Sequence, residues 1–378
     1  MSHVLIAPDK FKGSLSAPQV AAHVAAGLRR AVSGIDVREV PIADGGDGTL
    51  DAALAAGFER VPVTASGPTG EPVATGYARR GDTAVVELAD VSGLARLPGR
   101  RVPLTATSYG TGEVIRAALD DGCRTIVLGL GGSACTDGGA GMAAALGMRL
   151  LDAHGDELGP GGAALALLDT VDPTGLHPGL AGAEIVVASD VDNPLLGEHG
   201  AAAVYGPQKG ASAAQVERLD AALARWVEVL GAQDVATRAG AGAAGGVGFA
   251  ALALLGAVMR PGIEYLLDLV GFHDHLADAS LVVTGEGSLD EQTLRGKAPA
   301  GVAAAARAAG VPVVAVAGRC LLPDEALTAA GFAGACALTD LEPDPRRSVA
   351  EAGPLLERLA EQRLAAIIDI ETPVEETR

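Results

Sequence analysis

Short apolar runs that stop at glycine and charge recur along this chain. Val4 to Ala7 is apolar and ends at Pro8, and Asp9, Lys10, Phe11, Lys12, Gly13 and Ser14 follow, so a predicted strand delivers a carboxylate and two ammoniums to its end. Ser16 with Gln19 then reads as a capping box, and Val20, Val24 and Leu28 form the apolar stripe of a predicted helix. A second strand near Val37 to Val40 runs into ADGGDGT, Ala43 to Thr49. The last third repeats this grammar: a strand at Leu281 to Val283, the charged loop TGEGSLDEQTLRGK (Thr284 to Lys297), a helix opening at Pro299, a strand at Val313 to Val316 and a weaker one near Ala335. Both ends therefore belong to one doubly wound parallel sheet of Rossmann-like type.

The middle of the chain differs. A Gly/Pro/Thr stretch (Thr64 to Gly76) precedes a strand at Thr83 to Leu88, a helix from Gly112, a strand at Thr125 to Leu130 and another at Ile185 to Ala188. At 378 residues the chain exceeds one ordinary core. We therefore expect an α/β protein of two domains: residues 1–60 and 265–378 forming a discontinuous Rossmann-like domain, and residues 61–264 an inserted α/β domain. Gly240 to Gly248, almost all glycine and alanine, is a hinge, an anion-binding turn or a close helix contact.

Composition narrows the chemistry. Aromatics are only 3%, so small aliphatic side chains must fill both cores, as helices laid closely on sheets require. The formal charge of −19 carries no basic cluster, which excludes nucleic acid as a partner and leaves a small anion held by a few converging cations. Lysines are so scarce that Lys10, Lys12, Lys209 and Lys297, with Arg295, are the candidates. Cys123, Cys135, Cys320 and Cys336 lack the spacing of a zinc site and read as free thiols. No leader and no membrane-length apolar run is apparent, so a cytoplasmic protein, monomer or homodimer, is expected.

No Walker loop occurs. GLGGSA (Gly129 to Ala134) satisfies the dinucleotide fingerprint, with Asp152 where a ribose-binding acid would lie, so a dehydrogenase of a small hydroxy acid is the alternative; a tight strand-to-helix turn explains the same residues. ADGGDGT and CTDGGAG (Cys135 to Gly141) pair glycines with a short carboxylate, as ligand loops and ordinary turns both do. The strand ending at Ala188 feeds Ser189, Asp190, Val191, Asp192 and Asn193. Alternation would point Asp190 and Asp192 to one side, suiting a metal site or a base beside a metal ligand. Glu286, Asp290, Glu291, Arg295 and Lys297 crowd one loop more densely than solubility needs.

Several runs then resemble one family. IAPDKFKGSLSA, ADGGDGT, TSYGTGE, GGSACTDGGAG, SDVDNPL, YGPQKGA and TGEGSLDEQTLRGKAPAGVA are similar to the signature blocks of type-1 glycerate kinases, over nearly the whole chain. The resemblance implies ATP-dependent phosphorylation of D-glycerate, with Mg²⁺, to 2-phosphoglycerate rather than 3-phosphoglycerate, on a two-domain α/β fold without a P-loop. Carried onto these blocks, the substrate- and phosphate-binding residues are Asp9, Lys12, Ser14, Gly45, Gly46, Ser108, Thr111, Gly131, Gly132, Ser133, Asp137, Glu286, Asp290, Arg295 and Lys297. Asp190 is the expected base, and Lys10 the cation on the transferring phosphate with Lys297 as helper. Asp44 and Asp192 are the expected Mg²⁺ ligands, and Lys12 or the Ser108 to Thr111 loop meets the glycerate carboxylate. Four positions depart from the family pattern: Asp47 stands for Glu, Cys135 and Thr136 for Thr-Asn, and Ser288 for Arg.

Overall fold

The first apolar run lies inside a five-stranded sheet. The computed structural model describes residues 2–371, the side chains of Arg295, Asp369, Ile370 and Glu371 excepted, so the Arg295 side chain and the acidic end of the chain lie outside the described residues. Strand order is Gly334–Ala337, Val313–Cys320, Ala279–Leu289, His3–Pro8, Val37–Glu39, with every neighbour parallel. All six residues of His3–Pro8 are buried, as a strand covered on both faces must be. Alternation divides them between two cores. Val4 and Ile6 pack with Val20, Val24 and Leu28 of helix Ala17–Ala31, and Leu5 and Ala7 pack with Val302 and Ala306 of helix Ala298–Ala308. The capping box is present: Gln19 N–H donates to Ser16 Oγ at 3.4 Å and Ser16 N–H to Gln19 Oε1 at 2.9 Å.

These strands and helices form one compact unit, made of residues up to Asp44, Asp51–Ala56 and residues from Ile263 on. Gly45–Leu50 and Gly57–Gly262 form the other. Its six-stranded sheet has the order Val258–Arg260, Glu184–Ala188, Thr125–Gly129, Thr83–Glu87, Pro72–Arg80, Glu59–Ser66. The first four are parallel and the last two antiparallel. The Gly/Pro/Thr stretch thus belongs to an antiparallel pair, which its Pro62, Pro72 and Gly76 disguise in the sequence. Helix Tyr109–Asp120 covers one face with Val114, Ile115, Ala118 and Leu119; helix Ala213–Leu230 brings Trp226 into a separate core.

Two further expectations change. The strand predicted at Leu281 to Val283 continues to Leu289, so Glu286 and Ser288 stand on a strand rather than in a loop. Gly240 to Gly248 resolves to close packing: Ala244, Gly245 and Gly246 all have left-handed backbone, at φ 54°, 71° and 92°. A Cβ on Gly245 would lie 2.1 Å from the Cys135 carbonyl oxygen. Among the described residues no helix is long and apolar enough to cross a membrane.

Candidate active site

In the second unit the candidate loops gather at the carboxyl ends of the parallel strands, the ligand edge of such sheets. Backbone meets backbone there: a Cβ on Gly45 would lie 2.3 Å from the Ala188 carbonyl oxygen, and one on Gly131 2.3 Å from Gly46 Cα. ADGGDGT, GLGGSA and the residues after Ala188 are therefore held together by glycine. Asp190 follows directly, exposed, with Oδ1 accepting from Gly262 N–H at 2.8 Å. The strand ends at Ala188, so the alternation that would align Asp190 with Asp192 does not reach them. Asp192 is exposed, and its charge helps burial to raise the Tyr205 phenol above its ordinary pKa.

Other residues of these loops are internal. Asp137 is buried and accepts from Ser108 N–H at 2.8 Å, Ser108 Oγ at 2.9 Å, Thr107 Oγ1 at 3.2 Å, and the N–H groups of Gly139 and Gly141 at 3.2 and 3.3 Å. Ser108 Oγ also accepts from Met142 N–H, and Thr111 Oγ1 donates to Ser92 Oγ. Asp137 and Ser108 thus tie the start of helix Tyr109–Asp120 to the CTDGGAG loop, and Thr111 ties the same helix to Ser92. Lys209, on the turn Pro207–Lys209, is buried against Ser133 and Cys135.

The first unit has its own charged edge. Asp9 is 6% exposed and lies 3.7 Å from the Lys10 ammonium, whose backbone N–H also donates to Asp9 Oδ1 at 2.7 Å. Burial outweighs that cation, and the Asp44 and Glu286 charges add to it, so the Asp9 carboxyl is pushed up to about 7. Glu286, on the adjoining strand, accepts from Thr293 Oγ1 at 2.5 Å and Lys297 Nζ at 3.4 Å. Burial holds its carboxyl above the ordinary value. Asp290 Oδ1 accepts from Gln292 N–H in an Asx turn. Lys12 is exposed, while Ser14 Oγ donates to the Phe11 carbonyl at 3.1 Å.

The profile of the glycerate kinase family matches residues 4–368. The chain belongs to that family. It is 47% identical to a glycerate kinase of Bacillus subtilis, over 83% of this chain and 84% of that one. A glycerate 2-kinase of Escherichia coli is 46% identical, with 83% and 84% covered. A crystal structure from Salmonella typhimurium LT2, assigned as a glycerate kinase 2, superposes with a TM-score of 0.83 and 41% identity, covering 98% of each chain. The protein is accordingly a kinase.

Membership of the glycerate kinase family displaces the dehydrogenase alternative, and local geometry agrees. GLGGSA does not open a helix: the next one begins at Ala140, well beyond the fingerprint, so neither the dinucleotide turn nor a tight strand-to-helix turn is formed. Asp152 is exposed, and its Oδ1 accepts from His154 and Asp156 N–H groups within a turn.

Among the described residues no group of three or more His, Cys, Asp or Glu side chains is arranged to hold a metal ion. A cation caged by protein alone does not fit. A Mg²⁺ entering on a nucleotide needs only one or two carboxylates beside the phosphates, and Asp44, whose charge is felt by Asp9, meets that lesser demand.

Two residues beside the candidate loops escaped the sequence reading. Glu87 is buried at the end of Thr83–Glu87, and its Oε2 accepts from Gly48 N–H at 3.1 Å and Leu50 N–H at 2.9 Å, fixing the ADGGDGT loop. Burial pushes its carboxyl up to about 7. Its signal was a lone carboxylate inside the apolar run Ala84 to Leu88. Arg319, at the carboxyl end of Val313–Cys320, carried no signal until the strand register placed it beside Ser288.

Proposed function

We propose that this chain transfers the γ-phosphoryl group of ATP to the 2-hydroxyl of D-glycerate. One observation carries the reading at residue level. Asp190 stands at the carboxyl edge of a parallel sheet, next to glycine-rich backbone, with one oxygen fixed by Gly262 N–H and the side chain exposed. A carboxylate so held suits the acceptance of a hydroxyl proton as the new P–O bond forms. The glycerate 2-kinase among the relatives supports the 2-position.

Phosphoryl transfer asks protein mainly for positioning and charge neutralisation. Lys10, with Lys297 as helper, is assigned to the phosphate oxygens; Asp9, Ser14, Asp290 and Arg295 are assigned to substrate and phosphate binding. Gly45, Gly46, Gly131, Gly132 and Ser133 are assigned to anion binding by backbone and hydroxyl. Lys12, exposed and cationic, is assigned to the glycerate carboxylate in preference to Ser108 and Thr111, whose hydroxyls are engaged internally. Bound Mg²⁺ would neutralise charge on the phosphates; Asp44 is the residue assigned to it, with Asp192 as the second.

Purified protein incubated with ATP and D-glycerate tests this directly. Glycerate-dependent ATP consumption and a phosphorus NMR signal of 2-phosphoglycerate are expected. Consumption independent of glycerate, or a 3-phosphorylated product, would refute it.

A further inference from the structure

Lys209 is 2% exposed, although an ammonium is among the costliest groups to bury. Nζ donates to Ser133 Oγ at 2.8 Å and to the Cys135 carbonyl oxygen. Among the described residues it forms no ion pair; Asp137, the carboxylate that acts on it electrostatically, accepts its hydrogen bonds from Ser108, Thr107, Gly139 and Gly141 instead. Desolvation holds the Lys209 pKa below that of an ordinary lysine.

The Ser133 hydroxyl is thereby given a direction. An ammonium has only donors, so Ser133 Oγ must accept from it and turn its own proton elsewhere. Among the described residues that proton meets no acceptor. The backbone around it is pinned: Leu94 N–H donates to the Gly132 carbonyl and Ala134 N–H to the Ser92 carbonyl, both at 2.9 Å. Gly131 is half-buried and Gly132 exposed, so the loop reaches solvent immediately before Ser133.

We propose that Lys209 is a positioning residue that orients Ser133 as a hydrogen-bond donor to an oxyanion of the substrates. The shared chemistry is a carboxylate or phosphate oxygen, from glycerate or from ATP. The buried positive charge polarises the hydroxyl and supports an anion that this acidic chain would otherwise repel. The proposal rests on the phosphoryl-transfer reading above.

The test is steady-state kinetics of wild type, Ser133→Ala, Lys209→Met and the double variant, with folding followed by circular dichroism. Each single variant is expected to raise KM for one substrate about ten-fold while kcat changes by less than about three-fold. The double variant should be no worse than the poorer single one, because Lys209 acts through Ser133. A rise for D-glycerate identifies the carboxylate as the ligand; a rise for ATP identifies a phosphate. If Lys209→Met does not fold, Lys209→Gln, which keeps an N–H donor without charge, replaces it with the same split expected. Unchanged KM for both substrates in folded Ser133→Ala overturns the proposal, as does a Lys209 variant that lowers only the folded fraction. Wild-type enzyme with no glycerate-dependent turnover would instead refute the underlying reading.

Discussion

Arg319 Nε donates to Ser288 Oγ at 3.1 Å, and the two residues are register partners on adjacent parallel strands. A guanidinium from one strand therefore stands over a serine where the family pattern places arginine. Arg319 is exposed at the carboxyl edge of the sheet, where a phosphate would be met. Arg319→Met is expected to raise KM for ATP about ten-fold and to shift unfolding by less than ~0.5 kcal/mol. Urea denaturation and initial-rate kinetics check both; an unchanged KM removes Arg319 from nucleotide binding.

Asp190→Asn keeps an oxygen able to accept from Gly262 N–H, so the loop should persist. It removes the base. We expect kcat to fall about 10²- to 10⁴-fold with ATP affinity by calorimetry nearly unchanged. Turnover at the wild-type rate would end the assignment of Asp190.

Lys10→Ala removes the ammonium beside Asp9. Loss of a charge-assisted contact to the transferring group should lower kcat/KM about 10²-fold or more. If turnover and ATP affinity both stay at wild-type values, Lys10 serves only the local structure.

Asp9 and Glu87 make stability depend on pH in an unusual direction. Their carboxyls titrate at about 7 when folded, against ordinary values of 3.8 and 4.5. Between those limits the folded chain holds protons that the unfolded chain has released, so stability falls as pH rises through the interval and the cost is complete above it. Asp9→Asn and Glu87→Gln imitate the protonated forms. Each should melt above wild type at pH 8 and level with it near pH 4; parallel melting curves at both pH values would contradict the burial argument.

Gly245→Ala places a methyl group where the Cys135 carbonyl oxygen lies, on backbone already left-handed. The expected destabilisation is about 2–4 kcal/mol, measured by urea denaturation. Wild-type stability would show that this contact can relax.

Elements whose pattern is dominated by burial were legible from the sequence. Val4 to Ala7 could only be an interior strand, and Ser16 with Gln19 could only begin a helix. Glu286 and Ser288 were not legible as strand residues, because glycine and charge mask β-periodicity where a strand becomes a ligand edge. Asp190 was legible as chemistry but not in orientation, since alternation fails one residue past Ala188. Ser108 and Asp137 look alike in sequence whether they face a ligand or each other. Only packing distinguishes those cases.

The pairing of His3–Pro8 has a consequence for how the chain is made. Thr284 Oγ1 donates to the Ala7 carbonyl at 2.7 Å across 277 residues of sequence, and the strand's long neighbour is Ala279–Leu289. During synthesis this apolar segment emerges long before its partner strand and waits until the inserted unit has left the ribosome. Every residue of the second unit is available before then. Closure of the inserted unit is thus expected to precede the covering of this strand, although the strand is made before that unit.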